Sequence, residues 1–144
     1  MPQRLVRSII ESQTLVTAPA DATVADAARL MQRHRVGALL VVEGKRLTGI
    51  FTERDALFRV IAEGRDPQAT LVRDVMTSDP QTIAPDRPFG HALHLMFEGG
   101  FRHVPVIENG QAVGVVSARD ALGAEVKEFV SDLETRERIG EILG

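Results

Sequence analysis

Gly49-Ile50-Phe51-Thr52-Glu53-Arg54-Asp55 and Gly114-Val115-Val116-Ser117-Ala118-Arg119-Asp120 decide the reading of this chain. Both heptapeptides run from glycine through two apolar residues to a hydroxyl residue, then two residues on to an aspartate. They lie 65 residues apart, and the echo extends outward on both sides at the same offset without a gap. Thr17 meets Thr82, Asp21 meets Asp86, and Leu30-Met31 meets Leu95-Met96. Val41 meets Val106, and Arg54-Asp55-Ala56-Leu57 meets Arg119-Asp120-Ala121-Leu122. Further upstream the offset becomes 66, with Leu5-Val6-Arg7 over Leu71-Val72-Arg73. A repeat of this length is one supersecondary unit used twice, and two copies pack together to bury what neither buries alone.

Each copy predicts helix, strand, strand, helix. Val24, Ala27, Ala28 and Met31 form an apolar stripe at helical spacing, repeated by Phe89, Ala92, Leu93 and Met96, with Pro88 suited to a first turn. Buried-strand runs follow at Ala38–Val42 and Val104–Ile107, then hairpin turns at Gly44 and Asn109-Gly110. Second strands are expected at Leu47–Thr52 and Ala112–Ser117, and closing helices from Glu53 to about Ala62 and from Ala118. After Gly123, the residues Val126, Phe129, Val130, Leu133, Ile139, Ile142 and Leu143 suggest an amphipathic tail helix. It packs on its own domain or against a second subunit.

The 144 residues suit one compact domain that buries roughly 70% of its extended-chain surface. With 44% hydrophobic and 26% charged residues the composition is that of an ordinary soluble globule. A net charge of −3 gives no basic footprint for nucleic acid or an anionic membrane. The chain has no cysteine, which excludes disulfides, thiol nucleophiles and cysteine metal cages. No apolar run is long enough to span a bilayer and no signal peptide opens the sequence, so a cytoplasmic protein is expected.

At the heptapeptides the chain resembles the CBS-domain family, named after cystathionine β-synthase. Leu71-Val72-Arg73-Asp74-Val75-Met76-Thr77 resembles the usual lead-in to a second such motif. The resemblance covers nearly everything from Leu5 to Leu122. It implies an α/β (α+β) fold of two β-α-β-β-α repeats packed pseudo-symmetrically; the tail after Gly123, outside the resemblance, would add a C-terminal helix. Residues 1–144 would form one Bateman module, with motifs at 5–64 and 71–123 and a tail at 124–144. Such modules commonly bind adenosine-containing ligands (AMP, ADP, ATP, NAD or S-adenosylmethionine) in two clefts, and typically regulate rather than catalyse.

The chemistry of the heptapeptides suits that role. A hydroxyl at a strand end that opens a helix sits beside free N–H groups at the positive end of the helix dipole, a seat for phosphate. An aspartate one turn on accepts from both hydroxyls of a ribose. The glycine before them lets backbone approach a ligand closely. Thr52-x-x-Asp55 and Ser117-x-x-Asp120 are equally capping boxes, and one residue can do both jobs.

The resemblance further implies that each site borrows from the other copy. Thr52 and Asp55 would work with Thr82 and Phe101-Arg102-His103, while Ser117 and Asp120 would work with Thr17 and Val36-Gly37-Ala38. Arg102 and His103 offer charge-assisted donors to phosphate and Gly37 and Ala38 offer none, so the first site is expected to favour more phosphate. A solvated strand edge is the plainer reading of Arg102 and His103. Arg54 and Arg119 read either as surface ion pairs or as phosphate contacts.

His91 and His94 have metal-compatible spacing but no third ligand nearby, and read as a solvated helix face. No Ser-His-Asp spacing, P-loop or G-x-G-x-x-G appears, and no catalysis is expected. The reading is a stand-alone regulatory module and homodimer that carries a nucleotide signal to a protein in trans. The alternatives are a ligand-free partner-docking module and, less favoured by the acidic pI, a nucleic-acid binder.

Overall fold

Six strand pairings in one copy recur, pair for pair, 65 residues later. In the computed structural model, which describes residues 4–123, 132–137 and 140, strands β2 (Ala38–Glu43) and β3 (Arg46–Thr52) form an antiparallel hairpin. Strands β5 (His103–Glu108) and β6 (Gln111–Ser117) form its counterpart. Even the bulge repeats, between Val41 and Val42 and between Val106 and Ile107. The second turn places Asn109 and Gly110 at φ 54° and 77°, the positive values that a two-residue hairpin of right-handed twist requires.

Strand β1 (Thr17–Ala18) pairs parallel with β2, and β4 (Thr77–Ser78) completes a four-stranded sheet in the order β1-β2-β3-β4. In the second copy the place of β1 shrinks to one parallel bridge, Ile83 to Val106. Helix α2 (Val24–His34) is capped by the Thr23 hydroxyl, which accepts from the Asp26 N–H at 3.1 Å. Helix α4 (Phe89–Gly99) is its counterpart. Both stripes face a core, except that Ala28 is exposed. The helix after β3 opens as a short α turn, α3 (Glu53–Asp55), and continues with π geometry over Ala56–Ile61. After β6 the chain makes a 3₁₀ turn at Ala118–Leu122.

Strand β2 is buried on both faces, which is why it reads as an unbroken apolar run. Leu39 and Val41 face a core with Val24, Ala27, Met31, Phe51 and Val60. Ala38 and Leu40 face the other way, joining Ile50, Ala112 and Val115 where the two copies meet. The second core gathers Phe89, Ala92, Met96, Val104, Val106 and Val116.

The lead-in segments are exchanged. Helix α1 (Val6–Ile10) docks on the second copy through Val6 N–H to the Arg87 carbonyl and Arg7 N–H to the Pro85 carbonyl, both 2.9 Å. Val6 is fully buried in the second core, and Arg7 pairs with Glu108 outside it. The hydrogen bond from Arg7 holds the Glu108 carboxyl below the usual carboxylate range. The equivalent Leu71–Met76 stretch docks on the first copy, with the Val72 N–H donating to the Ala22 carbonyl at 2.8 Å.

This arrangement corrects one expectation. Gly49 and Gly114 face the lead-ins, not a ligand. A Cβ at Gly49 would lie 2.5 Å from Met76 Sδ, and one at Gly114 2.6 Å from Ile10 Cγ2. Met76 and Ile10 are themselves partners at the offset of 66. The tail residues Val126, Phe129, Val130, Ile139, Ile142 and Leu143 lie outside the described residues. Within residues 132–137, which are helical, Leu133 is exposed.

Candidate functional site

Two clefts open where the end of each hairpin meets the other copy, with volumes of about 730 Å³ and 790 Å³. Both fall within the usual range for small-molecule sites. Among the described residues, the first is lined by Thr52, Arg54, Asp55, Asp79 to Gln81 and Gly99 to His103. The second is lined by Gln13 to Val16, His34 to Ala38 and Ser117 to Asp120.

The structure thus brings Thr52, Arg54 and Asp55 together with Phe101, Arg102 and His103, and Ser117, Arg119 and Asp120 together with Val36, Gly37 and Ala38. Thr17 and Thr82 line neither cleft. The wall expected of them is built one to three positions earlier, by Thr14 to Val16 in one cleft and Asp79 to Gln81 in the other. Those triplets correspond at the same offset of 65, so the repeat itself carried the signal.

Both hydroxyl-aspartate pairs are capping boxes. The Thr52 N–H donates to Asp55 Oδ2 at 3.0 Å and the Asp55 N–H donates to Thr52 Oγ1 at 3.2 Å. The Ser117 N–H donates to Asp120 Oδ2 at 2.7 Å. The helix-end N–H groups expected to seat phosphate are partly taken as well. Glu53 N–H donates to the Gly37 carbonyl at 2.9 Å, and Ala118 N–H to the Arg102 carbonyl at 3.0 Å. Side chains must supply most of any anion binding.

Asp55 is buried, and its Oδ1 lies 3.6 Å from Arg59 Nε. Arg59 also donates through Nη1 to the carbonyls of Val75 and Met76, at 3.2 and 3.0 Å. Asp120 is half-buried, and the position equivalent to Arg59 is Ala124, outside the described residues.

Among the described residues, three line both clefts: Glu53, Arg102 and His103. That overturns the premise that Arg102 and His103 serve one site alone. Gly37 is where Glu53 fits, since a Cβ there would come within 2.9 Å of Glu53 Oε1. Burial lowers the His103 pKa below the ordinary imidazole value, against the pull of Glu53 and Asp120 and with the push of Arg102 and Arg119. His103 is therefore a neutral donor and acceptor at neutral pH rather than the charged donor expected. Outside the clefts, His94 pairs with Glu98 at 3.0 Å, one turn along α4. No helix among the described residues is long and apolar enough to cross a membrane.

Comparison with known proteins agrees with this architecture. A family model for the CBS domain matches residues 6–62 and again 72–127. The chain is 40% identical over 119 residues to a mitochondrial CBS domain-containing protein of Arabidopsis thaliana, CBSX3, covering 79% of this chain and 58% of that protein. Other curated plant relatives are longer, and the chain spans about a fifth of their length. A CBS domain protein from Pyrobaculum aerophilum complexed with AMP superposes with a TM-score of 0.74 at 28% identity, over 81% of this chain and 89% of that one. The CBS domain pair of protein MJ0100, complexed with 5′-methylthioadenosine and S-adenosyl-L-methionine, superposes with a TM-score of 0.77 at 25% identity, over 88% and 99%. With both halves matched and both hairpins in one register, the chain belongs to the CBS-domain family and is a tandem CBS pair.

Proposed function

We propose that this CBS pair is a regulatory module that binds adenosine-containing ligands, of the AMP, ADP, ATP, NAD or S-adenosylmethionine class, in its two clefts. The observation that carries the reading is the pairing of the clefts. Two cavities of nearly equal volume use the same repeat positions, and each has an aspartate at its wall, one turn into a helix. In this reading Asp55 and Asp120 accept from the ribose hydroxyls, while Arg54, Arg102 and Arg119 meet phosphate. Phe101 and Val36 offer apolar walls for a base. Two solved relatives carry adenosyl ligands, which supports the ligand class. The output is a change in a partner protein rather than a reaction.

The test is calorimetric titration of AMP, ATP, NAD and S-adenosylmethionine into the wild type, Asp55→Asn, Asp120→Asn and the double variant. Asparagine still caps a helix but loses the two-oxygen acceptor. Each single variant is expected to lose binding at its own cleft only, and the double variant all binding. Unchanged affinity in the double variant would remove the ribose assignment.

We further propose that the active form is a homodimer. Phe58, Ile61, Phe97 and Leu122 are more than half exposed, and Phe97 is 88% exposed. Large apolar side chains left out in this way suit a contact between copies. Sedimentation equilibrium at micromolar concentration is expected to show twice the 15.7 kDa chain mass. A clean monomer would refute it.

A further inference from the structure

The two clefts share Glu53, Arg102 and His103, so what distinguishes them electrostatically is what they do not share. The first adds Arg54 and Arg59 against Asp55 and Asp79, a balanced set. The second adds Arg35 and Arg119 against Asp120 alone, one positive charge in excess, with His34 beside them.

The arginines also differ in how far they are already engaged. In the first cleft Arg59 is held by Asp55 and by two carbonyls, and Arg54 Nη1 reaches the Gly100 carbonyl at 3.4 Å. In the second, the Arg35 N–H closes the helix on the Gln32 carbonyl, but neither the Arg35 nor the Arg119 guanidinium makes a hydrogen bond or ion pair among the described residues. Those two guanidiniums remain available to a ligand.

Arg35 carries an independent mark. It ends α2 in the left-handed conformation at φ 54°, the position filled in the second copy by Gly100 at φ 73°. Glycine makes that turn without strain, so the arginine costs backbone strain and supplies only its side chain. That side chain lines the cleft.

We infer that the second cleft, through Arg35 and Arg119, is the seat for a di- or triphosphate, and that the first takes a ligand of little or no net phosphate charge. This reverses the division expected from Gly37 and Ala38, and it rests on the adenosyl-ligand reading given above. Charge-assisted bonds to phosphate are the strong ones, and Arg102 between the clefts can join either set.

The test titrates adenosine, AMP and ATP into the wild type, the Arg35→Gly/Arg119→Ala double variant and Arg54→Ala. Glycine at position 35 keeps the left-handed turn, so the double variant is expected to fold, which circular dichroism checks. In the double variant ATP affinity should fall by about tenfold or more while adenosine affinity holds. Arg54→Ala should lower ATP affinity less than the double variant does. ATP affinity that survives the double change, or falls further in Arg54→Ala, overturns the inference alone. Failure of all three compounds to bind the wild type overturns it together with the reading beneath it.

Discussion

Replacing Gly49 or Gly114 by alanine separates two accounts of why glycine precedes the hydroxyl-aspartate motif. If the glycine admits a ligand, alanine lowers affinity and leaves stability alone. If it admits the lead-in segment, the reverse holds. At Gly114 the new Cβ would sit 2.6 Å from Ile10 Cγ2 and 2.7 Å from its Cβ. Carbon atoms rest at about 3.5–4.0 Å, so α1 must retreat by about 1 Å, loosening Val6 in the second core. At Gly49 the contacts are Met76 Sδ at 2.5 Å and the Thr77 carbonyl oxygen at 2.8 Å. The thioether can swing away, but Thr77 is tied into the β3–β4 pairing opposite Ile50. Overpacking costs about 1–3 kcal/mol, offset by about 0.4–1 kcal/mol from a stiffer unfolded chain. A net loss of about 1–2 kcal/mol is expected, larger at Gly49 because backbone must move. Urea unfolding followed by circular dichroism reads this as a lower midpoint at unchanged slope. Wild-type stability with weakened nucleotide binding would refute the packing account.

Three further outcomes follow from the structure. His103 has its pKa lowered by burial, so the unfolded chain binds its proton more tightly; the stability this contributes is present above about pH 6.5 and is lost as pH falls below it. Urea midpoints at pH 7.5 and 5.5 should differ more in the wild type than in His103→Gln, and equal differences would refute the assignment. Arg35→Gly should raise stability by about 1 kcal/mol by relieving the left-handed strain, seen as a higher thermal midpoint, and a lower midpoint would contradict it. Val6→Ala should cost about 2 kcal/mol despite lying near the start of the chain, because Val6 is fully buried in the second core; an unchanged urea midpoint would mean α1 is not docked there.

The hairpins were legible because their signals are local: apolar runs, a two-residue turn, and the same pattern 65 residues on. The clefts were legible in outline, since Thr52, Asp55, Ser117 and Asp120 open onto them, each joined by the segment expected from the other copy. What escaped was long-range. Leu5–Ile10 stands next to the first copy in sequence and docks on the second, and no residue pattern records that exchange. A glycine announces close approach without naming what approaches, so Gly49 and Gly114 were read toward a ligand when Met76 and Ile10 come instead. That Arg102 and His103 reach both clefts is a property of how the copies pack, not of local sequence. The π geometry of Ala56–Ile61 leaves no mark in a periodicity that still reads as helical, and Phe97 sat unnoticed on the polar side of the α4 stripe.

The central claim is that the paired clefts hold adenosyl ligands, and a crystal structure of the chain grown with AMP tests it most directly. The account predicts AMP between the copies in at least one cleft, with its ribose hydroxyls within hydrogen-bonding distance of Asp55 or Asp120. AMP bound elsewhere, or both clefts empty at saturating AMP, would contradict it.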